Sequence, residues 1–105
     1  MGLGPVPSMK KAAKSAGVSI DDFDLIEVNE AFASQFLGVA KELDLDLEKT
    51  NVNGGAVAIG HPLAATGSRL IITVLKELRR RKKNKAIVSA CIGGGQGTAV
   101  VVEAM

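Results

Sequence analysis

Three observations predict a layered α/β fold whose mixed sheet closes on an antiparallel strand pair. The apolar period changes along the chain in the order helix, strand, helix, loop, helix, strand, strand. Leu70, Ile71, Val74, Leu75 and Leu78 form a two-wide stripe, the mark of one long helix with a single buried side. Two apolar runs, Lys85–Ile92 and residues 98–103, flank the loop Gly93-Gly94-Gly95-Gln96-Gly97, which has hairpin length. At 105 residues one such unit fits, and no internal repeat suggests more.

The irregular lead-in of Gly2, Gly4, Pro5 and Pro7 ends at Ser8, a good N-cap for a helix over residues 9–16 that Gly17 stops. Residues 23–28 alternate and read as a strand with Leu25 or Ile26 toward the core. Ala33, Phe36, Leu37, Ala40 and Leu43 recur at three and four positions, predicting an amphipathic helix over residues 31–43 with Asn29 near its start. The acidic residues 44–48 read as a solvated loop; Lys49 stands where a calcium loop needs Gly. Residues 51–60, rich in Gly and Asn, suggest a short strand or extended segment entering a tight backbone feature. Pro62 suits a first helical position, and the helix it opens runs to about Arg81, where the basic residues 79–83 complement the macrodipole. Because both final strands are apolar at consecutive positions, they are expected centrally, in a sheet covered on both faces. Three modest helices under-cover such a sheet, so further protein should pack on it.

Composition narrows the function. Hydrophobic residues make up 47% and charged residues 23%, enough to build a core. Three Phe with no Trp or Tyr leave almost no stacking surface, and thirteen basic against eleven acidic residues argue against a nucleic-acid or membrane partner. One Cys and one His cannot build a structural zinc site or an internal disulfide, so no metal and a reducing compartment are expected. The lead-in is neither a signal peptide nor a myristoylation site, since Val6 stands where Ser or Thr is required; the expected location is the cytoplasm.

Four places set reactive groups beside glycine: Asn29-Glu30, Asn53-Gly54-Gly55, Gly60-His61-Pro62 and Cys91-Ile92-Gly93-Gly94-Gly95. Singly, each has a structural reading: a helix cap, a turn, a hydrogen-bonded imidazole, a core thiol. Neither glycine cluster has nucleotide-binding spacing. Together they describe acyl chemistry. A thiol at a strand end beside the N–H of Gly93 resembles an acid/base next to an oxyanion donor, and His61 at a helix mouth supplies a second donor or base.

The same residues carry a resemblance. Asn29-Glu30-Ala31-Phe32-Ala33, then residues 51–62 from Asn51-Val52-Asn53-Gly54-Gly55 to Gly60-His61-Pro62, then Cys91-Ile92-Gly93-Gly94-Gly95-Gln96-Gly97 resemble, in order and spacing, the closing motifs of the thiolase family, especially its acetyl-CoA acetyltransferases. Met1-Gly2-x-Gly4-Pro5-x-Pro7 is similar to an internal stretch of the same family, so the likeness covers essentially the whole chain. It implies thiolytic cleavage of acyl-CoA thioesters, or the reverse Claisen condensation, on a five-layered fold of two similar halves. This chain would be half of a layered αβα domain, a single segment over residues 1–105. By the same resemblance His61 polarises the thioester carbonyl and lowers the pKa of the nucleophilic cysteine. Asn29 holds a water in that oxyanion hole, Cys91 moves the α-carbon proton, and the N–H of Gly93 holds the acyl-enzyme oxyanion. CoA thioesters enter as substrates, with no bound cofactor.

The departures are as informative. Cys91 matches the acid/base, and no second Cys matches the family's nucleophile, which belongs to an N-terminal half; the CoA-binding loops are missing too. Ala64-Ala65 follows His61-Pro62-Leu63 where the family often has Gly-Ala. The expected partners are therefore acyl-CoA and either the missing half or a second copy, and the chain alone is expected to be inactive. A noncatalytic interaction module is the rival reading; a hydrolase with Cys91 as its own nucleophile lacks an evident orienting acid.

Overall fold

The structure, a computed structural model, describes residues 2–105, so Met1 of the lead-in motif lies outside it. Four helices, α1 (Pro5–Ser15), α2 (Ala33–Leu43), α3 (Ala56–Ile59) and α4 (Leu63–Arg81), accompany three strands, β1 (Leu25–Val28), β2 (Lys85–Ile92) and β3 (Gln96–Glu103). The sheet order is β1-β2-β3: β1 runs parallel to β2 with Val28 opposite Ser89, and β2 runs antiparallel to β3 with Cys91 opposite Gly97.

Strand alternation gives each face its own core. Ile26, Val28 and Ile87 pack with Met9 and Ala13 of α1 and Val39 of α2. Leu25, Ala86 and Val88 pack with Leu70, Val74 and Leu78 of α4 on the other face, the helical side expected from the apolar stripe. Leu25 and Ile26 are thus both core residues, on opposite faces. Asp24 ties the strand starts together: its Oδ2 accepts the backbone N–H of Asn84 and Lys85, each at 3.0 Å, which holds the carboxyl below its ordinary range.

Several local expectations are corrected. The first helix begins at Pro5, because a proline has no N–H to lose in a first turn and its φ is already helical. Ser8 is therefore inside α1 and not its cap; its Oγ donates to the Pro5 carbonyl at 3.0 Å and lies 3.3 Å from Ser89 Oγ. The second helix starts at Ala33 with Phe32 at the cap position, which leaves Asn29 available for another role. Residues 51–60 form turns and the short α3, with one isolated bridge between Thr50 and Ile26 just before them. β2 is central, whereas β3 is outermost of the three strands and alternates between exposed and half-buried positions. Gln96 and Gly97 pair in the ladder, which shortens the hairpin loop to Gly93, Gly94 and Gly95, with Gly95 at φ +84°. The basic run stands where expected: α4 ends at Arg81, Lys82 adopts the left-handed conformation, and the N–H of Lys83 closes back on the Leu78 carbonyl at 2.8 Å.

The start of α1 lies on the hairpin with no room for side chains. A Cβ on Gly97 would run into the carbonyl of Gly4, and one on Gly4 into the carbonyl of Gln96. Gly97→Ala is expected to destabilise the fold by about 1–3 kcal/mol or more, since backbone on both sides must move. Urea denaturation of the variant measures it, and an unchanged midpoint would show that α1 yields freely.

Candidate active site

The site is built where β1 ends. Residues 49–51 continue alongside it: the N–H of Ile26 donates to the Lys49 carbonyl and that of Asn51 to the Ile26 carbonyl, both at 2.9 Å. At the next step the Asn51 side chain replaces the backbone. Its Oδ1 accepts the Val28 N–H at 2.8 Å and its Nδ2 donates to the Val28 carbonyl at 2.9 Å. Satisfying both Val28 groups this way frees the Asn51 backbone to turn at φ +49°, which sends the chain toward His61.

Glu30 then latches the loop. Its Oε2 accepts the N–H of Val57 at 2.9 Å and its Oε1 the Nδ2 of Asn51 at 3.4 Å. Gly55 is the opening through which the carboxylate reaches, because a Cβ there would collide with it. Gly60, at φ +94°, makes the last bend, and Pro62 keeps His61 extended as it enters α4.

His61 arrives with both ring nitrogens engaged. Nδ1 lies 2.6 Å from Thr66 Oγ1, and the Thr66 hydroxyl donates to the Pro62 carbonyl at 3.1 Å. With its one proton committed there, Thr66 accepts from the ring, so Nδ1 carries hydrogen. In the neutral ring Nε2 is then a bare lone pair, 3.3 Å from Nδ2 of Asn29. Asn29 is fully buried, and its backbone N–H donates to the Ser89 carbonyl at 2.8 Å. Asn29 and His61, thirty-two positions apart in sequence, therefore form one polar pair against the N-terminus of α4.

Cys91 stands on β2 two residues beyond Ser89, about 7 Å of strand from the carbonyl that holds Asn29. It follows the parity of Ile87 and Ser89 and is paired with Gly97, whose missing Cβ would meet Gly4, so it is directed to the α1 side of the strand end. Gly93 follows in the exposed hairpin loop. The structure thus joins Asn29 to His61 on the α4 side of the sheet, whereas Cys91 leaves the end of β2 on the α1 side and Gly93 follows it in the loop. A groove of about 720 Å³ between α1 and β3 has Lys11 as its sole ionisable lining residue. Among the described residues no three His, Cys, Asp or Glu side chains gather to hold a metal ion.

The sequence profile of the thiolase C-terminal domain matches residues 1–104. The chain belongs to the thiolase C-terminal domain family. It is 59% identical over 103 residues to human mitochondrial 3-ketoacyl-CoA thiolase and 54% identical over 103 residues to the acetyl-CoA acetyltransferase of Escherichia coli K12. Each alignment takes in 98% of this chain and 26% of the relative, so the chain spans about a quarter of the length of these thiolases. The crystal structure of the human mitochondrial enzyme in complex with CoA superposes with a TM-score of 0.97 at 58% identity, over 99% of this chain and 26% of that one. The Bacillus anthracis acetyl-CoA acetyltransferase gives 0.97 at 50% identity, with the same coverage. The layered α/β thiolase fold expected from the motifs is the fold found.

Thr66 and Glu27 are polar groups of this region that sequence reading passed over. Thr66 is five positions from His61 inside a helix, where a hydroxyl reads as neutral surface. Glu27 occupies a strand position whose burial, with 2% exposed, shows only in three dimensions.

Proposed function

We propose that this chain supplies the oxyanion clamp and the acid/base of a thiolase acting on acyl-CoA thioesters, with a nucleophilic thiol contributed by polypeptide outside its 105 residues. The observation that carries the reading is the Thr66–His61–Asn29 relay, which leaves Nε2 of His61 unprotonated where a thiol proton would be received. Once Nε2 takes that proton it becomes a donor to the thioester carbonyl, and Asn29 holds the water that completes the hole. Cys91 returns a proton to the departing α-carbon during cleavage, or removes it during condensation, while the Gly93 N–H holds the acyl-enzyme oxyanion. CoA thioesters are substrates here, and every proton step uses a side chain of the protein.

The apolar rim supports a site completed by more protein. Val57 and Ile59 are each 66% exposed and Leu63 is 84% exposed, and the three flank His61. The N-terminal thiolase half is the partner assigned to that rim, and covering it would exclude water from the clamp.

Acetoacetyl-CoA cleavage with free CoA tests the reading. The chain alone is expected to give no turnover above background, and addition of an N-terminal thiolase half is expected to give turnover that Cys91→Ala abolishes. Robust turnover by the chain alone, lost in Cys91→Ala, would instead make Cys91 the nucleophile.

A further inference from the structure

Two residues before Asn29, in β1, lies Glu27, a carboxyl group with 2% exposure and no assigned role. Leu25 packs against α4, and the two-residue repeat of the strand places Glu27 and Asn29 on that face as well. Successive residues on one strand face lie about 6.6 Å apart, within reach of a glutamate side chain. Four polar atoms here are buried without a partner: Oε2 of Glu27, Oδ1 of Asn29, and Nε and Nη2 of Arg69 from α4. Such orphans are rare in folded proteins and costly. Bound water or a neighbouring side chain can satisfy such groups, and Glu27 and Asn29 are neighbours on one face.

Donor and acceptor counting leaves few ways to do so. Asn29 has its Nδ2 on His61, so Oδ1 needs a donor. An ionised Glu27 has none to give, whereas a protonated one has an O–H. Arg69 offers Nε–H and an Nη2–H, the side of the guanidinium that pairs with a carboxylate.

We propose that Glu27 is a positioning residue for Asn29: in its protonated form it donates to Asn29 Oδ1 and keeps Nδ2 aimed at His61, and in its ionised form it turns to Arg69 and releases the amide. The inference deepens the thiolase reading, since Asn29 is the clamp residue being held. Both charge states are accessible, because burial raises the Glu27 carboxyl to about 7 with Glu30 and Glu77 adding to the rise and Arg69 opposing it. Arg69 and Glu77 face it from α4 and Glu30 from the segment after β1, while its neighbours on the sheet, Leu25 and Val88, are apolar. His61, in contact with Asn29, is the remaining titratable group of the cluster.

Nuclear magnetic resonance of the 105-residue chain tests this without turnover, so a failure of the thiolase reading leaves the result standing. The Glu27 carboxyl carbon and the Asn29 side-chain amide are followed from about pH 5 to pH 9. The Asn29 signals are expected to move with the Glu27 midpoint. In Glu27→Gln that component disappears, leaving any that belongs to His61, while the amide keeps the position it has in the acid form. Asn29→Ala removes the acceptor of the acid form and is expected to lower the Glu27 midpoint; Arg69→Met is expected to raise it. An Asn29 titration unchanged in Glu27→Gln, or a Glu27 midpoint unmoved by Asn29→Ala, overturns the proposal. In the assembled enzyme, Glu27→Gln is expected to keep kcat at low pH and to lose the decline attached to Glu27 ionisation.

Discussion

His61→Ala is expected to lower kcat/KM for acetoacetyl-CoA cleavage by about 10²–10³-fold or more in the enzyme assembled with its N-terminal half. Removing one oxyanion donor has an effect of that size, and loss of the base that receives the thiol proton adds to it. Stability is expected to fall by about 1–3 kcal/mol at most, because His61 is half-buried at a loop end but its loss leaves Nδ2 of the buried Asn29 without that partner. Thr66→Val attacks the same function indirectly. It removes the acceptor that holds hydrogen on Nδ1, frees the ring to place it on Nε2, and is expected to cause a smaller loss in the same direction. Asn29→Ala combined with His61→Ala should cost less than the two losses multiplied, since both act on one carbonyl oxygen. Steady-state rates for the parent and these four variants decide it; a His61→Ala enzyme within a few-fold of the parent would remove the imidazole from the chemistry.

The elements were legible wherever a single period ran long enough. The stripe from Leu70 to Leu78 marked α4 and its buried side, and the Gly loop between two apolar runs marked the antiparallel pair. What escaped was set by side chains replacing backbone. Asn51 completes a ladder at Val28 that no periodicity encodes, so residues 51–60 looked extended when they fold back as turns. Ser8 looked like a cap because the two prolines before it looked like breakers, yet both fit a first helical turn. β3 looked central because valines fill it, although Val100 on its α4 side is 45% exposed. At the site, ordered motifs picked out Asn29, His61, Cys91 and Gly93 through resemblance. The hydrogen-bond relay behind them depends on Thr66, which carries no mark of its own in the chain.

A large and pH-dependent stability effect belongs to Glu27. Its carboxyl binds a proton more tightly in the fold, at about 7, than at its ordinary value of 4.5. The folded state therefore holds more protons than the unfolded chain between those limits, and stability falls as pH rises through them before levelling above about 7. A difference of that size corresponds to about 3 kcal/mol, an upper figure because Arg69 can move closer once the charge forms. Glu27→Gln keeps the shape and removes the charge, so it is expected to match the parent near pH 4 to 5 and to exceed it by up to ~3 kcal/mol at pH 8, a rise in Tm of roughly 10 °C or more. Glu77 does not confuse the measurement. Arg80 and Arg81 hold its carboxyl down to about 2, so its contribution is complete above 4.5 and is lost only as pH falls through the folded value, below the window where Glu27 acts. Urea denaturation of parent and variant at several pH values separates charge from packing. A gap that widens with pH identifies the buried carboxylate, and a gap constant across the range would mean that Glu27 titrates in the fold as it does in the unfolded chain.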